Sequence, residues 1–219
     1  TRPGAAEIAV PEEIARIRPV IAAVRGALPL SIDTRKAAVA EAALEAGAGM
    51  VNDVSGLDFD PALAGLVAAR GVPLCVMHAQ GLPETMQDDP RYGDVLLDVY
   101  DALEARVARA EAAGIPRAAI LVDPGIGFGK TEAHNLAILR RISLYHGLGC
   151  PILLGVSRKR FIGRIGGAEA PEARMPGTLA LTVAAAAQGV QIHRVHDVAP
   201  HAQALRLIAA LNETKEAEA

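Results

Sequence analysis

Six short apolar runs, each stopped by a polar residue and each leading to a longer helix-like stretch, constrain this chain more than any other feature. Leu30-Ser31-Ile32 stops at Asp33 and Met50-Val51 at Asn52. Pro73 to Met77 stops at His78, Ala119 to Val122 at Asp123, Pro151 to Val156 at Ser157, and Gln191 to Val195 at His196. Runs this short and apolar read as strands covered on both faces, as a parallel sheet requires. Helices are expected over 11–25, 36–46 (stopping at Gly47), 92–113 (stopping at Gly114), 132–145, 176–188 and 200–212. A further helix is capped by Asp60, starts at Pro61 and stops at Gly71. Strand–helix alternation implies right-handed parallel crossovers. Six strands and seven helices, starting with a helix, fit a (β/α)8 TIM barrel that lacks its first strand, first helix and second strand. The expectation is therefore a single barrel domain over 1–219, N-terminally incomplete. A doubly wound sheet is the rival, but polar residues at six strand ends favour the barrel, whose active site forms at the C-terminal strand ends.

Composition narrows the function. The net charge is −3 with scattered basic residues, aromatics are 3% and there is no Trp. Neither an electrostatic footprint nor a stacking platform for nucleic acid is present. No apolar run reaches the roughly 18 residues of a membrane span. Cys75 and Cys150 stand far apart without a C-x-x-C, so reduced thiols and a cytoplasmic setting are expected. The opening Thr-Arg-Pro-Gly resembles neither a signal peptide nor a normal start, so the chain is expected to begin mid-fold.

The stretch Asp123 to Thr131, DPGIGFGKT, imitates a phosphate-binding loop. Gly129, Lys130 and Thr131 supply the end of G-x-x-x-x-G-K-[ST], but Pro124 stands where the first Gly belongs and has no N–H to offer. The dinucleotide pattern fails as well, because Lys130 occupies its third glycine position. ATP is not the expected ligand. What remains is a strand that ends in an acid and opens into a glycine loop.

In a barrel the side chains of Asp33, Asn52 and Asp123 converge on one mouth. Each could equally cap the following helix or bridge a turn. Taken together, two carboxylates and an amide suit a flat, donor-rich heterocycle, because a carboxylate accepts parallel N–H bonds and Asn both donates and accepts. The stretch Ser157-Arg158-Lys159-Arg160 is either a solvated basic loop or a segment that returns Lys159 over the mouth. Arg194 and His196 are two apart, so on a strand they share a face and could seat an anion, to which Thr1 and Arg2 could add a hydroxyl and a guanidinium. His78, His193, His196 and His201 do not form a ligand pair at helical spacing. Ser157 shows no evident base, and there is no G-x-S-x-G elbow.

At these residues the chain closely resembles the dihydropteroate synthase family of pterin-binding TIM barrels. The resemblance runs through Thr1-Arg2-Pro3-Gly4, Ser31-Ile32-Asp33-Thr34, Val51-Asn52-Asp53, Val76-Met77-His78 with Thr85-Met86-Gln87, Asp123 to Lys130, Ser157-Arg158-Lys159 and Arg194-Val195-His196-Asp197. It implies condensation of 6-hydroxymethyl-7,8-dihydropterin diphosphate with p-aminobenzoate, releasing pyrophosphate with Mg²⁺ assistance. It assigns Asp33, Asn52, Met77, Asp123 and Lys159 to the pterin, and Thr1, Arg2, Arg194 and His196 to the diphosphate. Pro3, Phe128 and Ser157 would border the aminobenzoate pocket, the one sulfonamides occupy. Catalysis would fall to Asp33, Lys159, Arg194 and His196, with a dissociative loss of pyrophosphate and no covalent enzyme intermediate.

Two related readings share the pterin residues: a methyltetrahydrofolate–corrinoid methyltransferase, which needs no diphosphate seat, and a non-catalytic pterin-binding paralogue or fragment. The family's mobile loop, which carries the Asn that helps hold Mg²⁺, would precede Thr1, so turnover is expected to depend on it. The near-uniformly apolar stretch 176–188 implies a homodimer through that helix, as is the family's habit.

Overall fold

The computed structural model describes residues 7–81 and 86–213. Its chain starts with helix α1 (Val10–Val24), which has Pro11 in its first turn, where the missing N–H costs nothing. Strand β1 (Ser31–Asp33), helix α2 (Ala37–Ala46), β2 (Met50–Asp53), α3 (Leu63–Arg70), β3 (Leu74–Met77), α4 (Val95–Ala112) and β4 (Ile120–Asp123) then alternate. After α5 (Glu132–Arg140) come β5 (Leu153–Leu154), α6 (Arg160–Gly166), α7 (Met175–Ala186), β6 (Ile192–His193) and α8 (Val198–Glu213).

β1 to β4 pair in parallel in chain order, and β5 pairs in parallel with β6. A parallel bridge between Val122 and Ile152 joins the two sets. The register aligns Asp33 with Asn52, Asn52 with Cys75, and Met77 with Asp123.

Period-two alternation sorts the strand residues into two cores. Ile32, Val51, Leu74, Val76, Ile120, Val122, Ile152 and Leu154 belong to the large cluster packed with the helices. Cys75, Leu121 and Leu153, with Met50 against them, form a separate small cluster on the other face. By the same alternation Asp33, Asn52, Met77 and Asp123 stand on the face of the small cluster, Asp33 and Asn52 level with Cys75, and Met77 and Asp123 two residues nearer the C-terminal strand ends. The polar residues therefore sit on an apolar floor.

Several expectations need correction. Among the described residues there are eight α-helices rather than seven. The extra one is α6, hidden from sequence reading because its start lies in the basic run. The expected helix 132–145 stops at Arg140 and continues as a 3-10 turn, Ile142–Leu148. The helix after Asp60 is regular only from Leu63. Asp60 divides its carboxylate, accepting from Ala62 N in its own turn (3.0 Å) and from Ala37 N at the start of α2 (2.8 Å). The last two strands are also shorter than expected. The Ile192–His193 ladder ends before Arg194, whose N–H still reaches the Leu154 carbonyl at 2.9 Å, and His196 lies beyond it in a bend. The shared-face argument for Arg194 and His196 therefore loses the regular strand it rested on, and the two side chains meet different partners, Asp33 and Ser157.

Candidate active site

Four strand ends supply the floor and wall of the mouth. Asn52 and Met77 are almost fully buried. Asn52 Oδ1 has no hydrogen-bond partner among the described residues, although such a buried acceptor normally finds one. Asp123 is buried too, and its Oδ1 accepts the Gly125 N–H at 2.8 Å. Burial pushes its carboxyl up to about 6, against the pull of that N–H and of the Lys159, Lys130 and Arg194 charges. Asp33 keeps 35% of its side chain open and meets Arg194 Nη2 at 3.0 Å. Desolvation raises its pKa, with Arg194 and a hydrogen bond from Asn52 opposing and Glu13 adding to the rise.

The cations come from the opposite side of the mouth. Lys159 is lowered to about 8 by burial, with Asp123 resisting and Arg194 adding to the fall. Its ammonium lies 4.2 Å from the centre of the Phe128 ring, close enough for a cation–π contact. Ser157 and Lys159 flank Arg158, which has φ +58, a conformation a non-glycine residue adopts at a cost. Arg158 does not join an anion seat. Its Nε and Nη2 grip the Asp197 carboxylate at 3.3 and 2.9 Å, and its N–H donates to Thr178 Oγ1 at 3.1 Å. That fork ties the loop of Ser157 and Lys159 to the loop of Arg194 and His196.

The same tie brings together a pair that sequence reading missed. His196 Nδ1 lies 2.7 Å from Ser157 Oγ, which also accepts the His196 N–H at 3.1 Å. Ser157 thus has an imidazole beside it, although 39 residues separate the two in the chain. The partner of a hydroxyl on another strand leaves no local signal. Asp197 is committed to Arg158, so the pair lacks the buried acid that would complete a nucleophile triad.

Lys130, read from sequence only as the tail of a failed phosphate loop, is buried and donates into its own loop, to the Gly125 and Phe128 carbonyls. Asp53 is structural as well: its carboxylate accepts from Ser55 N, Ser55 Oγ and Leu57 N, shaping the turn after β2. Thr1, Arg2, Pro3 and Thr85 lie outside the described residues.

The structure thus brings Asp33, Asn52, Met77, Asp123, Lys159 and Arg194 around one mouth, with Phe128, Ser157 and His196 at its rim. Acceptors on one side and cations on the other suit a ligand with an N–H edge at one end and negative charge at the other.

The pterin binding enzyme family matches residues 1–196. The dihydropteroate synthase of Escherichia coli K12 is 42% identical over 218 residues, covering 99% of this chain and 77% of that protein. Two crystal structures give the same picture. A Yersinia pestis dihydropteroate synthase in a sulfonamide drug complex aligns with a TM-score of 0.93 at 40% identity, covering 97% of this chain and 78% of that one. The Xanthomonas albilineans dihydropteroate synthase with 4-aminobenzoic acid gives 0.92 at 43% identity, covering 98% and 77%. The parallel strands and outer helices are accordingly part of a (β/α)8 barrel.

Proposed function

The chain belongs to the pterin-binding enzyme family, and on that premise we propose that it acts as a dihydropteroate synthase. The reaction joins 6-hydroxymethyl-7,8-dihydropterin diphosphate to p-aminobenzoate, giving 7,8-dihydropteroate and pyrophosphate in folate biosynthesis. The observation that carries this reading is the orphaned Asn52 Oδ1, buried in one inward layer with Asp33 and above the same floor as Asp123. A buried acceptor without a donor loses on the order of 1–3 kcal/mol unless a ligand supplies one. The N–H edge of a pterin supplies several.

In this reading Asp123 and Asp33 accept from the pterin, Asn52 takes one further N–H, and Met77 packs beneath the ring. Lys159 closes over the other face. Arg194 and His196 receive the diphosphate. Arg194 is suited to this because its own side chain is 63% exposed, so its hold on Asp33 is weakened by solvent. As the C–O bond to the diphosphate breaks, its electron pair leaves with pyrophosphate, and the cations are already aimed at that growing charge. The aniline nitrogen then forms the C–N bond and loses its proton, held between Phe128 and Ser157. Sulfonamides would compete for this second pocket.

Magnesium neutralises diphosphate oxygens when bound. Among the described residues no three His, Cys, Asp or Glu side chains gather to hold it, so the mouth alone does not fit a protein-built magnesium cage. We assign the ion to the substrate's own oxygens, and no step here runs through it. The setting is cytoplasmic, in keeping with two free buried cysteines.

We also infer a homodimer through α7. Leu181 packs on the chain's own core, so the outward face is the small-residue line Pro176, Ala180, Ala184 and Ala187. That flat, apolar face permits close approach of a second copy.

Product formation from the two substrates, together with calorimetry of pterin binding, tests the reading. Turnover inhibited by a sulfonamide supports it. Pterin binding without condensation would identify a non-catalytic relative instead.

A further inference from the structure

The glycine loop after β4 encloses a buried cation that the chemistry above does not use. Lys130 is 2% exposed. Its Nζ lies 3.0 Å from the Gly125 carbonyl oxygen, 3.1 Å from that of Phe128 and 2.8 Å from His78 Nδ1. An ammonium has three N–H bonds, and these are its three nearest acceptors, with the His78 carbonyl oxygen farther off at 3.4 Å. The Gly125 carbonyl also accepts the Phe128 N–H at 3.1 Å, so the turn from Gly125 to Phe128 is tied twice.

The loop can close on Lys130 because Gly125 has no side chain. Gly125 has φ +68, and a Cβ there would collide with the His78 carbonyl oxygen. Outer ties complete the hold: Gly127 N to Asn135 Oδ1 at 2.7 Å, Gln87 Nε2 to the Gly127 carbonyl at 2.7 Å, and Tyr92 OH to the Gly129 carbonyl at 2.6 Å. None of these touches Phe128 itself, whose carbonyl is taken by Lys130.

Burial lowers Lys130 to about 7, with Asp123 resisting and Arg106 and Lys159 adding to the fall. His78 is kept neutral by its own burial and by the neighbouring Lys130 and Arg106 charges. The grip survives loss of the lysine proton. A neutral amine still donates two N–H bonds to the two carbonyls, and its lone pair can accept from the His78 tautomer protonated at Nδ1.

We propose that Lys130 is a positioning residue for the second substrate, holding the Phe128 carbonyl and thereby setting the ring that walls the aminobenzoate pocket. This rests on the reading of Phe128 as that wall. Lys130 touches neither substrate. It acts on p-aminobenzoate through Phe128, and its link to the pterin's partners is the charge it presents to Asp123, which fades as Lys130 loses its proton near pH 7.

The test combines steady-state kinetics of Lys130→Met and Lys130→Gln with carbon–proton spectra of protein labelled at phenylalanine, of which the chain has three. The expected result is a rise of about tenfold in KM for p-aminobenzoate, the scale of one lost hydrogen bond. At pH 8, where Lys130 is already largely uncharged, KM for the pterin diphosphate should stay within about twofold, and Gln should recover part of the loss. The Phe128 ring signal should move while that of the buried Phe161 stays. In a Phe128→Ala background, Lys130→Met should add no further change to KM for p-aminobenzoate. If the Met variant does not fold, the Gln variant supports the same comparison. An equal rise in both KM values, an unmoved Phe128 signal, or full additivity with Phe128→Ala would overturn the proposal. A wild-type protein that makes no dihydropteroate would instead defeat the functional reading, and the Phe128 signal would still decide whether Lys130 sets that ring.

Discussion

Replacing Asp123 with Asn should make the empty protein more stable and the liganded one worse. Burial raises the Asp123 carboxyl from 3.8 to about 6. An acid with a higher pKa folded than unfolded binds its proton more tightly in the native state, so stability falls as pH rises between the two values. The cost accumulates from about pH 4 to about pH 6 and is complete above it, on the order of 3 kcal/mol. Asn removes the charge and keeps an oxygen for the Gly125 N–H. Its amide N–H bonds face the mouth unpaired, which returns roughly 1–2 kcal/mol of the gain. A net stabilisation of about 1–2 kcal/mol at pH 7.5 corresponds to a melting temperature about 3–6 °C higher for a domain of this size. Pterin affinity should fall by about 2–4 kcal/mol, because donors then meet donors where a charge-assisted bond stood. Paired melts of both proteins from pH 4.5 to 8 and calorimetry with pterin at pH 7.5 measure each half. A variant less stable than wild type at pH 8, or a difference that does not open across this pH range, would refute the desolvation argument. Unchanged pterin affinity would remove Asp123 from the site.

Two further outcomes follow from the same geometry. On the proposed reading pterin binding needs Asp123 ionised and Lys159 protonated, so kcat/KM for the pterin diphosphate should be bell-shaped, falling below about pH 6 and above about pH 8. Lys159→Met should lower the whole profile and abolish its alkaline limb, and an alkaline limb that persists would assign that proton elsewhere. For the dimer, Ala184→Glu on the outward line of α7 should yield monomers in sedimentation at micromolar protein, whereas Leu181→Glu should damage folding. A dimer that survives Ala184→Glu would disprove the α7 interface.

Much of the floor of the site was legible because it is local. An apolar run that stops at Asp33, Asn52 or Asp123 states both the strand and its functional end, and parallel pairing aligns those ends without further instruction. The rim was not legible, because its contacts cross the sheet. Nothing near Ser157 announces His196, and nothing near Arg158 announces that Asp197 will hold its guanidinium. Basic residues in a row read as a solvated loop or an anion seat. The sequence leaves open the segment that returns Lys159 over the mouth, and a left-handed residue at 158 turns the chain so that Arg158 becomes a brace, Lys159 meets Phe128 and Asp123, and Arg160 starts α6. Lys130 reads in the sequence only as the end of a loop that fails the phosphate pattern, and only the close approach of Gly125 to His78 shows that the loop closes on its own lysine.

The contact between Asp33 and Arg194 also bears on how the mouth comes into being. It spans 161 residues of chain, so closing that loop costs on the order of 4 kcal/mol in chain entropy before any constant is added. An ion pair as exposed as this one returns less than about 1 kcal/mol. On these magnitudes the pair does not repay its own loop closure, and we expect it to follow the pairing of the strands between. On the proposed reading the Arg194 guanidinium would take its place late, and refolding followed by far-ultraviolet dichroism should finish before pterin binding returns.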